Sequence, residues 1–339
     1  MKKFLILLLC SLVWTSNAQI DNSLDVLLAA GVEDTQRFAN DYLKPGTNGL
    51  MHSMNANWFN TAKVKPLGGF EISIIGNYGP IKDEKKSFLM NTEIYNNVEF
   101  LTGENSQKVS TVLGENNPDV EVLLTYEDPI FGNQQVSVTL PSGLGAENID
   151  FIPTAVIQGA LGISNGLEVK ARFVPNINVD DVDFGLYGGA LQAEFTKWLS
   201  DDIYMPVAIS GLIAYTKVNT TFDITNTSGI AGENQRVEND TSTWLFQLIG
   251  STKLPIINFY GGIGFISGTS DSGLKGTYIV TDGNISADPL VDPFSVSSKV
   301  SDLRGTLGTK LKLGVFRLNA EYQISDFNVF SVGMNFGFR

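Results

Sequence analysis

The amino-acid sequence predicts an all-β fold: a transmembrane antiparallel β-barrel of about 12 strands (10–14), with a short N-terminal helix as a possible plug. Two observations predict this fold. Three consecutive C-terminal segments of about ten residues alternate apolar and polar side chains, as the strands of a membrane barrel do. In addition, no apolar run after Trp14 approaches the ~18 residues that a membrane-spanning helix needs.

The first residues predict export. A basic start, an apolar stretch over residues 4–14 and the small residues Ser16-Asn17-Ala18 form the pattern of a signal peptide, which we assign to residues 1–18. Its cleavage would remove the only cysteine, Cys10, so that no disulfide or thiolate metal site could form. Lipoprotein cleavage before Cys10 is disfavoured because Leu9 is too bulky for the preceding position.

The chain is acidic, with 23 Lys and Arg against 36 Asp and Glu and a formal net charge of −13. Bulk charge of this sign disfavours nucleic-acid binding. The expected partners are outer-membrane lipid and lipopolysaccharide, the barrel assembly machinery and a small-molecule solute. Because the chain holds a single histidine and no cysteine after cleavage, we expect no zinc site, and we expect no cofactor.

Residues 19–66 are expected to form a helix followed by an irregular, plug-like segment. Apolar residues recur at helical spacing over residues 22–43, and Lys44-Pro45-Gly46 should end that helix because proline removes a helical hydrogen bond. Residues 47–66 are rich in Asn and follow no period. From residue 67 the period changes to two, so we assign residues 67–339 to the barrel.

The final strand shows the period of two most clearly. One of its faces is entirely apolar, with Phe330, Val332, Met334, Phe336 and Phe338. Residues 307–314 and 316–325 alternate in the same way. In a barrel such a face meets lipid and every backbone group is paired, whereas a soluble sandwich would have to cover it with a second sheet.

The remaining strands follow the same rule upstream. They are expected near residues 70–74, 152–163, 167–173, 183–195, 204–217, 240–252 and 257–265, with less regular candidates at 86–97 and 119–126. Counting both candidates leads to 12 strands. If Arg339 ends in the periplasm, the short connections all fall on the periplasmic side, and the long segments 98–150, 218–239 and 268–302 fall outside.

Three motifs resemble an uncharacterised family of outer-membrane barrels from Bacteroidetes: Asn57-Trp58-Phe59-Asn60-Thr61-Ala62, Lys275-Gly276-Thr277-Tyr278 and Arg304-Gly305-Thr306-Leu307-Gly308. The resemblance covers the mature chain and implies a bacterial outer-membrane location. The helix before a barrel is also loosely similar to FadL-type transporters of hydrophobic compounds, which carry a lumenal plug. None of their ligand-contacting residues can be matched here. The last residues resemble the signal that the assembly machinery reads, although Arg339 replaces the usual terminal aromatic.

Catalysis is not expected. The only histidine, His52, lies in the irregular N-terminal segment, and a Ser-His-acid group could form only if that segment folds against a strand. A solvated or plug-packed histidine is the simpler interpretation, so we predict that the protein is not an enzyme. The acidic cluster Asp180, Asp181 and Asp183 lacks the spacing of a calcium loop and should be a solvated loop tip.

The period of two directs a cluster of charged side chains into the lumen: Lys170, Arg172, Lys310, Lys312, Arg317 and Glu321, with Arg339, Glu71 and Glu168 nearby. Bases exceed acids in this set, which favours an anion-attracting lumen. The alternative is a polar network of mutually paired charges, because a buried unpaired charge is costly. Lys312 and Arg317 form a basic pair across the turn at Gly314. Because Glu71 and Glu168 lie on strands distant in sequence, this pair would hold an anion if neither carboxylate reaches it.

Two functions follow from these patterns. The leading hypothesis is an outer-membrane channel or facilitator for small molecules, with amphipathic anions as candidates, because the predicted lumen is basic and the N-terminal helix has the size of a plug. The alternative is a non-transporting barrel that binds or presents surface proteins or serves a secretion or assembly apparatus. The length of segments 98–150 and 268–302 favours that alternative.

Overall fold

The computed structural model describes Leu28 and residues 31–128, 132–179, 181–199, 206–225, 231–279, 281–282, 285–286 and 289–338. The assigned signal peptide, the start expected for the helix at residue 22, Asp180 and Arg339 lie outside these residues. The described part contains one long helix, α1 (Val32–Met54), and short 3-10 turns at Asp83–Lys85, Thr92–Ile94, Leu144–Glu147 and Phe195–Lys197.

The described residues form eighteen strands. In chain order they are β1 (Phe70–Pro80), β2 (Ser87–Asn91), β3 (Val98–Phe100), β4 (Ser106–Ser110), β5 (Glu121–Asp128), β6 (Gly132–Thr139), β7 (Phe151–Ser164), β8 (Leu167–Val179), β9 (Val182–Glu194), β10 (Val207–Asp223), β11 (Ala231–Thr252), β12 (Ile257–Ile279), β13 (Thr281–Asp282), β14 (Ile285–Ser286), β15 (Leu290–Val291), β16 (Phe294–Leu313), β17 (Phe316–Ile324) and β18 (Val329–Phe338).

Ten of these strands close into an antiparallel barrel in the order β1-β7-β8-β9-β10-β11-β12-β16-β17-β18, and β18 pairs back onto β1. The all-β barrel is therefore confirmed, but the expectation of about 12 strands is wrong. The candidate at 86–97 contains β2, and the candidate at 119–126 overlaps β5; these strands have 5 and 8 residues. They are shorter than the ~9–11 residues that span a membrane and pair outside the barrel.

The two ends of the barrel differ. Phe70 lies opposite Phe338 on one side and opposite Leu161 on the other, and we call this end the turn end. The connections there are short, as between β7 and β8 or between β16 and β17. The opposite end, the loop end, carries the long connection between β1 and β7. The predicted segment 98–150 lies in this long connection, but the predicted loops at 218–239 and 268–302 are wrong in large part, because β10, β11, β12 and β16 extend through most of these residues.

Residues 81–150 fold into a compact unit at the loop end, which we call the cap. It contains the two-stranded sheet β2-β4 and the three-stranded sheet β3-β5-β6. Met90, Val109, Val122 and Leu124 are buried in its core, and Phe38 of α1 packs into the same cluster. The cap is therefore stabilised by the first half of α1.

Helix α1 does not stop at Lys44-Pro45-Gly46, as the sequence predicted, but continues to Met54. A proline inside a helix costs about 3 kcal/mol, so packing must offset it. Gly46 and Gly49 allow this packing, because a Cβ atom there would lie 2.5 Å from Val112 Cγ1 and 2.2 Å from Ile152 Cδ1, respectively. Among the described residues, no helix has the length and apolarity that crossing a membrane requires.

Candidate functional site: the filled lumen

The outer surface of the barrel is apolar. Each of the ten barrel strands exposes a large apolar side chain, for example Ile72, Leu161, Phe173, Tyr187, Ile213, Phe246, Ile263, Leu307, Tyr322 and Phe336. Phe330 and Phe338 of β18 also face outward, as predicted, with 45% and 46% of their surface exposed. In water this continuous apolar surface would be unfavourable, whereas lipid would cover it.

The apolar surface ends sharply toward the loop end. On β11, Trp244 and Phe246 face outward, and the next outward residues toward the loop end are Ser242 and the exposed Asp240. On β16, Leu307 and Leu303 lie within the band, whereas the outward side chains nearer the loop end, Ser301, Lys299 and Ser297, are polar. Strands β10, β11, β12 and β16 thus extend beyond the apolar band as a polar wall.

The lumen is filled by residues 46–66, which we call the lumen segment. It contains the second half of α1 and the irregular stretch after it. Met51, Met54, Trp58 and Ala62 are fully buried, and Phe59 is 1% exposed. They form one hydrophobic cluster with inward-facing side chains of the wall. The lumen at this level is therefore closed by side chains that pack directly against the barrel.

Glycines of the wall make room for the large side chains of the lumen segment. A Cβ atom at Gly188 would lie 3.1 Å from Trp58 Cζ2, and one at Gly262 would lie 3.3 Å from Phe59 Cζ. At Gly268 it would lie 2.8 Å from the Met51 sulfur. The inner surface of the barrel therefore fits this particular segment.

Basic side chains of the wall donate to carbonyl oxygens of the lumen segment. Arg172 Nη1 donates to Met54 O at 2.7 Å, and the guanidinium lies 3.6 Å from the centre of the Trp58 ring. Lys170 Nζ donates to Trp58 O at 3.0 Å. Arg304 Nη1 donates to Asn55 O at 3.0 Å. These bases, all almost fully buried, satisfy backbone oxygens that no regular secondary structure pairs.

Acidic side chains of the wall complement them by accepting from backbone N–H groups. Glu321 Oε1 accepts from Asn57 N at 3.0 Å. Glu194 Oε2 accepts from Val64 N at 2.8 Å, and Glu168 Oε2 accepts from the backbone N of Lys65 at 2.9 Å. Wall charges of both signs therefore bind the backbone of the same segment.

An ion-pair network lies near the turn end. Glu71 Oε2 is 3.2 Å from Lys310 Nζ and 2.6 Å from Arg317 Nη1, and Glu71 Oε1 is 3.7 Å from Lys65 Nζ. The carboxylate that we considered distant therefore reaches Arg317 of the basic pair at the Gly314 turn, and Lys310 as well, because barrel closure places β1 beside β18 and hence two strands from β17. Lys312 is partly buried beside Arg317, its partner in the strand pairing.

His52 joins α1 to the wall. Its Nδ1 lies 3.1 Å from Ser325 Oγ, and its Nε2 lies 3.2 Å from Asp302 Oδ2. The N-terminal segment thus folds against a strand and brings Ser, His and Asp together. However, Ser325 Oγ donates to Phe327 O at 2.5 Å, so its proton does not point to the imidazole, and the ring is fully buried. This geometry suits a structural link better than a nucleophile.

At the loop end, the start of α1 is fastened to the cap. The Asp34 carboxylate, 3% exposed, accepts from the backbone N of Asn96 at 2.9 Å and of Asn97 at 2.8 Å. Tyr42 donates its hydroxyl proton to Ser142 O at 2.9 Å, and burial raises the pKa of this hydroxyl above its usual range. Helix, lumen segment and cap therefore form a connected unit.

Sequence reasoning directed six of the deeply buried charges into the lumen and missed three side chains that act with them: Arg304, Glu194 and Lys65. Arg304 could have been found, because extending the period of two on β16 backward from Lys310 points residue 304 inward. Lys65 lies in the irregular segment, where no period signals its direction. Among the described residues, no group of three His, Cys, Asp or Glu side chains could hold a metal.

Several solved structures are similar to this chain at low sequence identity. Solved structures that are similar include the attachment invasion locus protein Ail of Yersinia pestis, at 11% identity over 80% of this chain and 99% of that chain, with a TM-score of 0.24. The translocator domain of the autotransporter NalP from Neisseria meningitidis is 10% identical over 81% of this chain and 89% of that chain, with a TM-score of 0.31. The outer membrane transporter YddB from Escherichia coli is 10% identical over 80% of this chain and 42% of that chain, with a TM-score of 0.26.

No curated protein matches the chain. The resemblance to a Bacteroidetes family and to FadL-type transporters stays a prediction. A family of unknown function, DUF6588, matches residues 1–338. The chain belongs to this family of unknown function.

Proposed function

We propose that the protein is a bacterial outer-membrane barrel that is closed by its own lumen segment and acts through its cap, as a binding or assembly protein rather than as an open channel. The apolar outer band supports the membrane location, and β18, with Phe330, Phe336 and Phe338 facing lipid, is the strand that the assembly machinery would read. Lipid and lipopolysaccharide would surround the band. The loop end, and with it the cap, would face the cell exterior.

The observation that carries this proposal is the fit of the lumen segment. A channel for small anions would need free bases along an open path. Here Lys170, Arg172 and Arg304 already donate to backbone oxygens of the lumen segment, and Glu71 pairs with Lys310 and Arg317. Of the bases that suggested anion transport, Lys170, Arg172, Lys310 and Arg317 are thus engaged in holding the barrel closed. Because the Ser325 hydroxyl is engaged with Phe327 O, we also propose no catalytic role.

Conductance in planar bilayers tests the closed lumen. Purified wild-type protein should insert without opening stable ion-conducting steps. Deleting residues 20–45 should leave conductance near zero, because Met51 to Val64 would still fill the lumen. Replacing Met54, Trp58 and Phe59 together by Ala removes the packed side chains and should produce conductance. Each variant must keep the heat-dependent shift in gel mobility that marks a folded barrel.

Two results would contradict the proposal. Steady conductance of the wild type would show that the lumen segment does not close the barrel. Conductance that rises after deletion of residues 20–45 alone would show that the first half of α1, and not the lumen segment, closes the path. Binding through the cap is tested separately: replacing residues 87–139 by a short turn should abolish recovery of a stoichiometric partner from intact cells while the barrel still inserts.

A further inference from the structure

The direction of the N-terminal segment is opposite to that of the first strand. At the start of α1, Asp34 contacts the cap, and Gln36 Nε2 donates to Ser295 O at the beginning of β16, at 2.8 Å. Leu28 is buried with Leu274 and Tyr278, near the loop end of β12. The chain therefore enters the described structure at the loop end.

From there the chain runs through the whole barrel before the first strand begins. Asn55 Nδ2 donates to Thr243 Oγ1 on β11 at 2.7 Å, roughly halfway along the lumen. Val64 N then donates to Glu194, the last residue of β9, and Gly68 N donates to Gly162 O at 2.9 Å at the turn end. β1 starts there and runs back to the loop end.

The wall around this segment is continuous. β1 and β18 pair from Phe70–Phe338 to Tyr78–Phe330, so the seam where the barrel closes offers no lateral gap over this length. The lumen segment is packed and bonded on several sides, and Trp58 fits against Gly188. Because the wall is continuous at this seam, the chain passes from the loop end to the turn end through the lumen itself.

We infer that this barrel carries its own N-terminal segment across the membrane. The cargo is the first half of α1, whose start is delivered to the loop end and held there by the cap, on the side opposite to Phe338. This inference rests on the proposed membrane location. It adds an activity to the closed barrel: the start of α1 is displayed beside the cap.

Single-cysteine labelling in intact cells tests this inference. Each variant is made in a Cys10→Ser background, which removes the only native cysteine. The probe site is Glu33→Cys at the start of α1, where the side chain is 72% exposed. Val291→Cys, 70% exposed, is the loop-end control, and Val315→Cys, 55% exposed, is the turn-end control. The reagent is a polyethylene-glycol maleimide too large to pass through porins.

Labelling of Glu33→Cys and Val291→Cys in intact cells, with Val315→Cys labelled only after permeabilisation, is the expected result. Labelling of Val291→Cys without Glu33→Cys would overturn the inference and leave the membrane location intact. Labelling of Val315→Cys alone would also overturn it, since the segment would then end in the periplasm. If all three sites are labelled only after permeabilisation although the barrel is folded, the outer-membrane proposal itself fails together with the inference.

Discussion

In the ion network around Glu71, we predict that replacing Glu71 destabilises the protein more than replacing its partner Lys310. Glu71 is 2% exposed and serves three cations, with Arg317 at 2.6 Å, Lys310 at 3.2 Å and Lys65 at 3.7 Å. Glu71→Gln leaves these cations without that carboxylate. Breaking a buried pair in this way costs about 3–5 kcal/mol, because the remaining charge is uncompensated.

Lys310→Met should cost less. Glu71 keeps Arg317 and Lys65, and Asn60 Nδ2 still donates to Glu71 Oε1 at 3.0 Å. The loss is then that of the charge-assisted bonds of Lys310, including the one to Asn60 Oδ1 at 2.7 Å, about 1.5–3 kcal/mol. We therefore expect Glu71→Gln to lower the free energy of unfolding by roughly 2 kcal/mol more than Lys310→Met does.

Urea unfolding in lipid vesicles, followed by tryptophan fluorescence, measures both losses. The double variant should lose less than the sum of the single variants, because the two side chains share one network. Asp150→Asn is a control, since its pair with Lys86 on the cap, at 2.9 Å, is exposed and worth about 0–1 kcal/mol. Equal losses for Glu71→Gln and Lys310→Met would refute the reasoning, because they would mean that Glu71 matters only to Lys310.

Three further predictions follow from packing and burial. Leu307→Arg, within the apolar band of β16, should lower the amount of inserted protein, at a cost of up to ~2–4 kcal/mol. Ser297→Arg, outward on the same strand but beyond the band, should not lower it. Immunoblots of surface protein measure both effects. Gly188→Ala should cost about 1–3 kcal/mol in urea unfolding because the added Cβ would lie 2.7 Å from Tyr215 O and 3.1 Å from Trp58 Cζ2. The neighbouring Gly189→Ala, with nothing closer than 3.9 Å, should be nearly neutral. Asp34→Asn should loosen the cap, which limited proteolysis would detect as faster cleavage.

The wall of the barrel could be predicted from the sequence because the alternation of apolar and polar side chains is enough to identify its strands. A strand with lipid on one side and a packed lumen on the other must alternate, and the outward faces of β16, β17 and β18 agree with that alternation. Strand number was harder. Segments 86–97 and 119–126 also contain short extended stretches, and only their pairing partners show that they belong to the cap.

Helix α1 shows where local rules fail. Pro45 and Gly46 together form a stop signal, and an isolated chain would obey it. In the folded protein the cap packs on one side of this point and the barrel wall on the other, and both contacts come from residues far away in sequence. Tertiary packing therefore overrides the local preference, and no pattern within residues 22–54 reveals it.

The lumen charges show that the side of a residue can be predicted while its partner cannot. Alternation placed Arg172 and Lys310 inside, which is correct. Their partners depend on closure of the barrel and on the path of residues 55–66, and neither is encoded in a local period. An irregular segment in a dry lumen exposes unpaired carbonyl and N–H groups, and each unsatisfied group costs about 1–3 kcal/mol. Charged wall side chains are the strongest available partners for these groups. Lys170, Arg172 and Arg304 meet this need for carbonyl groups, and Lys310 and Arg317 pair with Glu71, so the sign of the lumen charge is no measure of the charge of a solute.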